Sequence, residues 1–236
     1  MIAFARLLAQ KHPKVWGRIE GALEERGVKY ALIEGCKDIW MRDFMPLALE
    51  DGSFLSYEYN PNYLKSSPHL RTSYPRGEKD LGLVLDGGNF ARFKNSVLMC
   101  EKILSENPSF SQSEIISMIE EKAGVERVIL LPKVAYDRYG HSDAMCRWID
   151  ERRILVNDFS LEGKGFHSKL ERALEGYEII SLKYSDEFLS KYKWGAYLNF
   201  VEVKNLLLLP TYGINEDKRV IERFEEIFED KTIIPH

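Results

Sequence analysis

The apolar positions of this chain fall into short runs whose period switches between helical and alternating. In residues 3–26 Trp16, Ile19 and Leu23 recur at helical spacing, Pro13 can open a second segment at its first turn, and Gly27 is a natural stop, so the stretch reads as helical. Residues 28–33 form a short apolar strand, and residues 54–59 alternate as another. Residues 83–85 run as a strand into Asp86-Gly87-Gly88-Asn89, and 96–100 returns as the second arm of a hairpin. Ser111 and Glu114 form a capping box ahead of Ile115, Met118 and Ile119, and Gly124 closes that helix. Strands follow at 128–132, 153–158 and 177–184, with a helix at 161–176. A hairpin then turns at Lys204-Asn205, joining residues 198–203 to 206–210. Val220, Ile221, Phe224, Ile227 and Phe228 stripe a helix at 216–230, and a final strand starts at 231. Residues 60–79 show no period and are rich in Pro, Ser, Asn and Arg: a long loop, either plain surface or a functional lid.

Two polar stretches interrupt this pattern. In Asp38-Ile39-Trp40-Met41-Arg42-Asp43-Phe44-Met45-Pro46 charges alternate with groups that favour burial, and Pro46 pushes Met45 toward an extended backbone. That mixture suits a pocket wall holding a cation beside an apolar or aromatic surface; an ion pair between Arg42 and a neighbouring Asp is the plainer alternative. In Tyr139-Gly140-His141-Ser142-Asp143-Ala144-Met145-Cys146, read as a strand, His141 and Asp143 project to one face. A carboxylate beside an imidazole serves general acid–base chemistry, although such pairs are also structural. The polar stations Asp43, Asp86, His141 and Asn199 are spaced by about 43, 55 and 58 residues, which suggests one supersecondary unit per interval. No linker divides the chain, so residues 1–236 read as a single domain.

Composition narrows the functional classes. The net charge of -4 offers no broad basic surface, which argues against nucleic acid and against an anionic membrane as partners. No apolar run approaches the roughly 20 residues of a membrane span, and the N-terminus lacks a signal peptide's apolar region. Cys36, Cys100 and Cys146 give neither an even disulfide framework nor a CxxC pair, so a reducing compartment, the cytoplasm, is expected. Dinucleotide, P-loop and HExxH signatures are all missing from the sequence.

The set Asp38-Ile39-Trp40-Met41-Arg42-Asp43, Asp86-Gly87-Gly88-Asn89, Gly140-His141-Ser142-Asp143 and Leu198-Asn199-Phe200 followed by Pro210 resembles the agmatine deiminase and bacterial peptidylarginine deiminase family. These guanidine-modifying enzymes belong to the pentein superfamily, and the resemblance runs from about residue 30 to the end. It implies an α/β fold, a five-bladed α/β propeller of repeated strand-pair and helix units, with the last blade incomplete. It also implies that Asp43 and Asp143 grip the substrate guanidinium, that Trp40 stacks on it, and that Asp38, Arg42 and Asn199 lie on the substrate side. His141 would protonate the departing ammonia and then activate water. Asp86, where relatives often carry Glu, would orient His141 with one methylene less reach. The expected partner is a small guanidino compound, agmatine first and arginine or peptidyl-arginine second, with no cofactor and no metal; a homodimer is the candidate assembly.

The family's nucleophile is a Cys near the C-terminus, and one further interval after Asn199 places that station at about residue 250. Cys36, Cys100 and Cys146 do not stand there, and Cys146 lies an odd number of steps from His141. The strand that opens the first blade is also expected to be missing. The chain therefore reads as a deiminase-type C–N hydrolase trimmed at its C-terminus, or as a non-catalytic guanidinium binder. A metal hydrolase using His141, Asp143 and Asp86 is a third reading, weakened because no second His lies near these acids.

Overall fold

A computed structural model describes residues 2–72 and 77–236. Residues 73–76 of the expected 60–79 loop lie outside the described residues. The chain forms two compact units: Val28–Ser142 with the N-terminal residues through Pro13, and Asp143–His236 with Lys14–Gly27.

Strand β1 (Ile2–Ala5) leads through helices α1 (Arg6–Lys11) and α2 (Pro13–Glu25) to β2 (Tyr30–Ile33). The first unit continues with α3 (Met41–Phe44), β3 (Leu47–Ala48), β4 (Phe54–Glu58), β5 (Lys79–Val84), β6 (Ala91–Phe93), β7 (Ser96–Cys100), α4 (Lys102–Glu106), α5 (Gln112–Ala123) and β8 (Arg127–Leu131). After α6 (Ser142–Met145), the second contains β9 (Cys146–Trp148), β10 (Arg153–Val156), α7 (Lys164–Ala173), β11 (Glu178–Ser181), α8 (Asp186–Lys191), β12 (Val201–Val203), β13 (Leu206–Leu209), α9 (Asn215–Ile227) and β14 (Thr232–Pro235).

One topology recurs. In each of the sheets β3-β4-β5, β6-β7-β8, β9-β10-β11 and β12-β13-β14 the first strand pairs antiparallel with the second, and the third returns parallel to the second. A parallel return needs a long crossover, and helices supply it between β7 and β8, β10 and β11, and β13 and β14. The hairpins β6–β7 and β12–β13 turn through Lys94 and Lys204, both at positive φ (48° and 55°). That twist suits a two-residue hairpin, and each lysine is followed by Asn. The loose sequence interval therefore corresponds to a repeated sheet.

Central strands buried on both faces read as continuous apolar runs, as in Val97-Leu98-Met99-Cys100 and Leu206-Leu207-Leu208-Leu209. In the first unit Leu81, Leu83 and Leu85 pack with Val97, Met99, Ile103, Ile115 and Ile119. In the second, Val220 and Phe224 of α9 pack with Tyr197, Leu207 and Leu209. The sequence readings of α5, α9 and the 204–205 hairpin match these elements, and Met45 is extended (φ -76°, ψ 146°) before Pro46.

Three expectations fail. Residues 3–26 are not helical throughout: Ile2–Ala5 forms β1, paired parallel with β2. Four apolar residues are too short to show a period, and their strand state depends on β2. The Gly87-Gly88 turn is not a hairpin; it joins β5 to β6, which lie in different sheets. The described residues between β4 and β5 form a loop, as read, with 3₁₀ turns at Asn62–Leu64 and Pro68–Leu70. His141 and Asp143 do not share a strand, because Gly140 is left-handed (φ 65°) and α6 starts at Ser142.

Helix α5 tests how far local capping holds the first unit. Glu114 N–H donates to Ser111 Oγ at 3.3 Å, Ser111 N–H donates to Glu114 Oε2 at 2.7 Å, and Gly124 closes the helix in the left-handed region. Ser111→Ala should lower the free energy of unfolding by about 1 kcal/mol in urea titrations. An unchanged midpoint and slope would show that the packed Ile115 and Ile119 suffice without the cap.

Candidate active site

The site is built from the C-terminal end of β5. Asn107, following α4, exchanges hydrogen bonds with the backbone of Val84: its Oδ1 accepts from Val84 N–H at 2.8 Å and its Nδ2 donates to Val84 O at 2.9 Å. The edge of β5 is thereby clamped to α4, and Asp86, two residues on, arrives beside Lys102. Asn89 fixes the other side of the turn, accepting from Cys100 N–H at 2.6 Å and donating to Cys100 O at 3.2 Å.

Both glycines of the turn are there for space. A Cβ on Gly88 would stand 2.5 Å from His141 Nδ1 and 2.7 Å from Asp43 Oδ1, and a Cβ on Gly87 would collide with the Arg42 carbonyl. Close approach of backbone to side chains, rather than a left-handed conformation, explains the pair.

His141 is presented by a capped loop. The Asp137 carboxylate accepts from Tyr139 N–H at 2.8 Å and from Gly140 N–H at 2.9 Å, and Ser142 Oγ donates to Gly88 O at 3.4 Å. The imidazole then spans two acids: Nε2 stands 2.9 Å from Asp86 Oδ1, and Nδ1 stands 3.7 Å from Asp43 Oδ1. The first contact is one of charge and proximity, since its angle is not that of a well-aligned hydrogen bond. Asp86 therefore reaches His141 despite its shorter side chain. Tyr63 and Tyr139 flank the imidazole, each ring centroid 5.9 Å away. Asp43 sits in α3, whose Met41 and Phe44 are buried, and the Tyr57 hydroxyl lies 2.8 Å from the carbonyls of Asp43 and Met45.

Beneath this surface lies a group that the sequence reading missed. Lys102 Nζ is ion-paired to Asp86 Oδ2 and lies 3.6 Å from Glu106 Oε2, with all three side chains almost fully enclosed. The face of Tyr63 covers the ammonium at 5.3 Å. Burial pushes the Asp86 carboxyl up, but the charges of His141 and Lys102 outweigh it and hold the group below the ordinary aspartate range. Asp86 thus stabilises the fold above the ordinary aspartate value and loses that contribution as pH falls through its folded value. Glu106 is shifted upward, mainly by burial, with Lys102 opposing. In sequence, Lys102 and Glu106 look like a solvated i,i+4 pair; only the tertiary fold buries them.

The remaining predicted residues are placed as follows. Trp40 is 60% exposed, and Asp38 accepts from the N–H of Ile39 at 2.7 Å. Arg42 donates from Nη2 to Phe90 O at 2.9 Å. Asp143 is buried in α6, in the second unit, where Asn157 supports the helix by donating to Ala144 O at 2.9 Å. Asn199, also in the second unit, is exposed, and Arg147 grips the carbonyls on either side of it, Leu198 O at 3.0 Å and Phe200 O at 2.9 Å. The structure brings together Asp43, Asp86 and His141 within one unit.

The thiols are differently situated. Cys100 and Cys146 are fully buried, and burial pushes the Cys100 thiol up to about 12 and Cys146 higher still. Cys36 is half-buried, its thiol donating to Ile33 O at 3.6 Å, and burial raises it too. Among the described residues, no group of three or more His, Cys, Asp and Glu side chains could hold a metal ion, and no helix is long and apolar enough to cross a membrane.

The architecture has known counterparts. A Porphyromonas gingivalis structure described as an arginine deiminase superposes with a TM-score of 0.68 at 22% identity, covering 95% of this chain and 76% of that one. C. jejuni agmatine deiminase gives 0.62 at 21% identity, covering 92% and 72%. DDAH from Pseudomonas aeruginosa, in a C249S mutant complexed with citrulline, gives 0.58 at 12% identity, covering 96% and 82%. None of the curated proteins matches the sequence. The family model of Porphyromonas-type peptidyl-arginine deiminases matches residues 6–236, so the chain belongs to that family of guanidino-group hydrolases and has the mixed α/β pentein fold.

Proposed function

We propose that this chain binds a guanidino compound and supplies the charge and proton-transfer groups of a deiminase reaction, guanidino group plus water giving ureido group plus ammonia. The observation that carries the reading is the convergence of Asp43, Asp86 and His141 on a turn made glycine-rich so that they can meet. Asp43 accepts the guanidinium N–H groups in charge-assisted hydrogen bonds. With Nε2 held toward Asp86, the His141 Nδ1 edge faces Asp43 and is the edge that gives a proton to departing ammonia and takes one from water. Asp143, Asn199 and Trp40 are assigned to the substrate on the family resemblance. The recurring sheet topology supports the five-bladed propeller as the architecture.

The covalent route of this chemistry has a thiolate attack the guanidinium carbon, expel ammonia, and leave an amidino thioether that water hydrolyses. The guanidinium carbon is a weak electrophile, so the attacking sulfur must be ionised and close. Two of the three thiols here are buried with raised proton affinity, and we infer that none of the three is that nucleophile. This placement also favours a second reading, a guanidinium-binding protein without turnover.

The substrate's tail is read from a groove of about 510 Å³ beside Tyr63, lined also by Asn62, Lys65, Lys133 and Arg138. Its acid, Asp137, is occupied by the backbone N–H groups of Tyr139 and Gly140. Such a groove favours a carboxylate on the tail, as in arginine, over the second cation of agmatine.

Three outcomes test these readings. Calorimetry with arginine should show that Asp43→Ala weakens binding more than His141→Ala, by about 2–5 kcal/mol for the former; equal losses would count against the roles. Arginine should bind more tightly than agmatine at low salt, with the difference shrinking in Lys65→Ala/Lys133→Ala; an agmatine preference would remove the groove from the site. Finally, residues 1–236 should release no ammonia from either compound, and iodoacetamide at neutral pH should label Cys36 slowly and Cys100 and Cys146 only after unfolding. Ammonia release abolished by mutating one of these cysteines would show that the nucleophile is among them.

A further inference from the structure

We propose that Lys102 is a positioning residue: clamped between Asp86 and Glu106, it fixes the Asp86 carboxylate against His141 and limits the negative charge that the imidazole feels. The family resemblance assigns nothing to this position, and the inference rests on the deiminase reading only for its consequence in catalysis.

The argument begins with the valence of Asp86. Its side chain is inaccessible to solvent, and its two oxygens face different groups, Oδ2 the ammonium of Lys102 and Oδ1 the Nε2 of His141. A short aspartate has two torsions, so anchoring one oxygen fixes the plane of the carboxylate and hence the direction of the other. The anchor is itself immobile. Lys102 begins α4, immediately after β7, and its ammonium is enclosed by Asp86, Glu106 and the ring of Tyr63. Glu106 is held in turn, its Oε1 accepting from Asn62 N–H at 2.9 Å. Gly140 completes the cage: at φ 65° it passes over the lysine stem so closely that a Cβ there would stand 3.1 Å from Lys102 Cδ. The residue before the catalytic histidine thus packs directly on Lys102.

Charge gives the arrangement its purpose. Within this unit His141 is faced by Asp86 from the turn after β5, by Asp43 from α3, by Tyr63 from the 3₁₀ turn at Asn62–Leu64 and by Tyr139 from its own loop, with Lys102 and Glu106 of α4 behind Asp86. Two carboxylates against one imidazole in a poorly solvated site would hold its proton too tightly for release to ammonia. A buried ammonium on the far oxygen of Asp86 offsets that pull.

The test is the titration of His141 followed by NMR in the ligand-free chain, its resonance identified by disappearance in His141→Asn. Lys102→Met should raise the midpoint by about one pH unit or more, roughly tenfold in proton affinity. Lys102→Arg, which keeps the charge, should stay within a few tenths of a unit. Glu106→Gln, which strengthens the hold of Lys102 on Asp86, should lower the midpoint. A folded Lys102→Met variant with an unshifted midpoint overturns the proposal, as does an equal shift in Lys102→Arg. If Lys102→Met does not fold, Glu106→Gln decides, and an unshifted midpoint there overturns it as well. The readout involves no substrate and no turnover, so failure of the guanidino reading would appear separately, as absent binding with an intact titration.

Discussion

A buried carboxylate shared between an ammonium and an imidazole organises the first unit. Asp86 is out of contact with solvent, and a lone ionised acid in that place would be strongly unfavourable. Its two partners, Lys102 and His141, arrive from opposite sides, one from the helix that follows β7 and one from the capped loop before α6. Removing Lys102 takes away the buried carboxylate's permanent countercharge, a loss of about 3–5 kcal/mol for pairs of this kind. The strand clamp by Asn107, the cage of Tyr63 and Gly140, and the double glycine all serve to let these groups converge.

The same convergence separates two parts of the chemistry. Cation binding and proton transfer need acids and an imidazole at short range, and the chain holds these within one unit. Nucleophilic attack needs an ionised sulfur, and the apolar strands that carry Cys100 and Cys146 disfavour ionisation. Those cysteines belong to the core as small hydrophobes, at the ends of β7 and the start of β9.

Membership in the family and the members of the candidate triad were legible because each residue sits in a short motif of its own. Asp43, the acid before the double glycine and His141 each stand at a break in an apolar run, where a polar side chain is conspicuous. Lys102 and Glu106 escaped notice for the opposite reason. An i,i+4 Lys–Glu pair is the commonest sign of a solvated helix, and nothing local distinguishes a buried one.

Sequence alone determined the elements that carry their own signals: the capped helix α5, the stripe of α9, the hairpin at Lys204-Asn205 and the extended Met45 before Pro46. Periodicity, capping and the locked φ of proline act within a few residues, so no distant partner is needed to read them. Tertiary structure decided the rest. Ile2–Ala5 is a strand because β2 offers it a parallel ladder, and the two glycines join sheets rather than arms of a hairpin because β6 finds its partner in β7. It also decided that Asp86 lies between a lysine 16 residues ahead and a histidine still further on, a pairing of charges that burial enforces and sequence spacing does not encode.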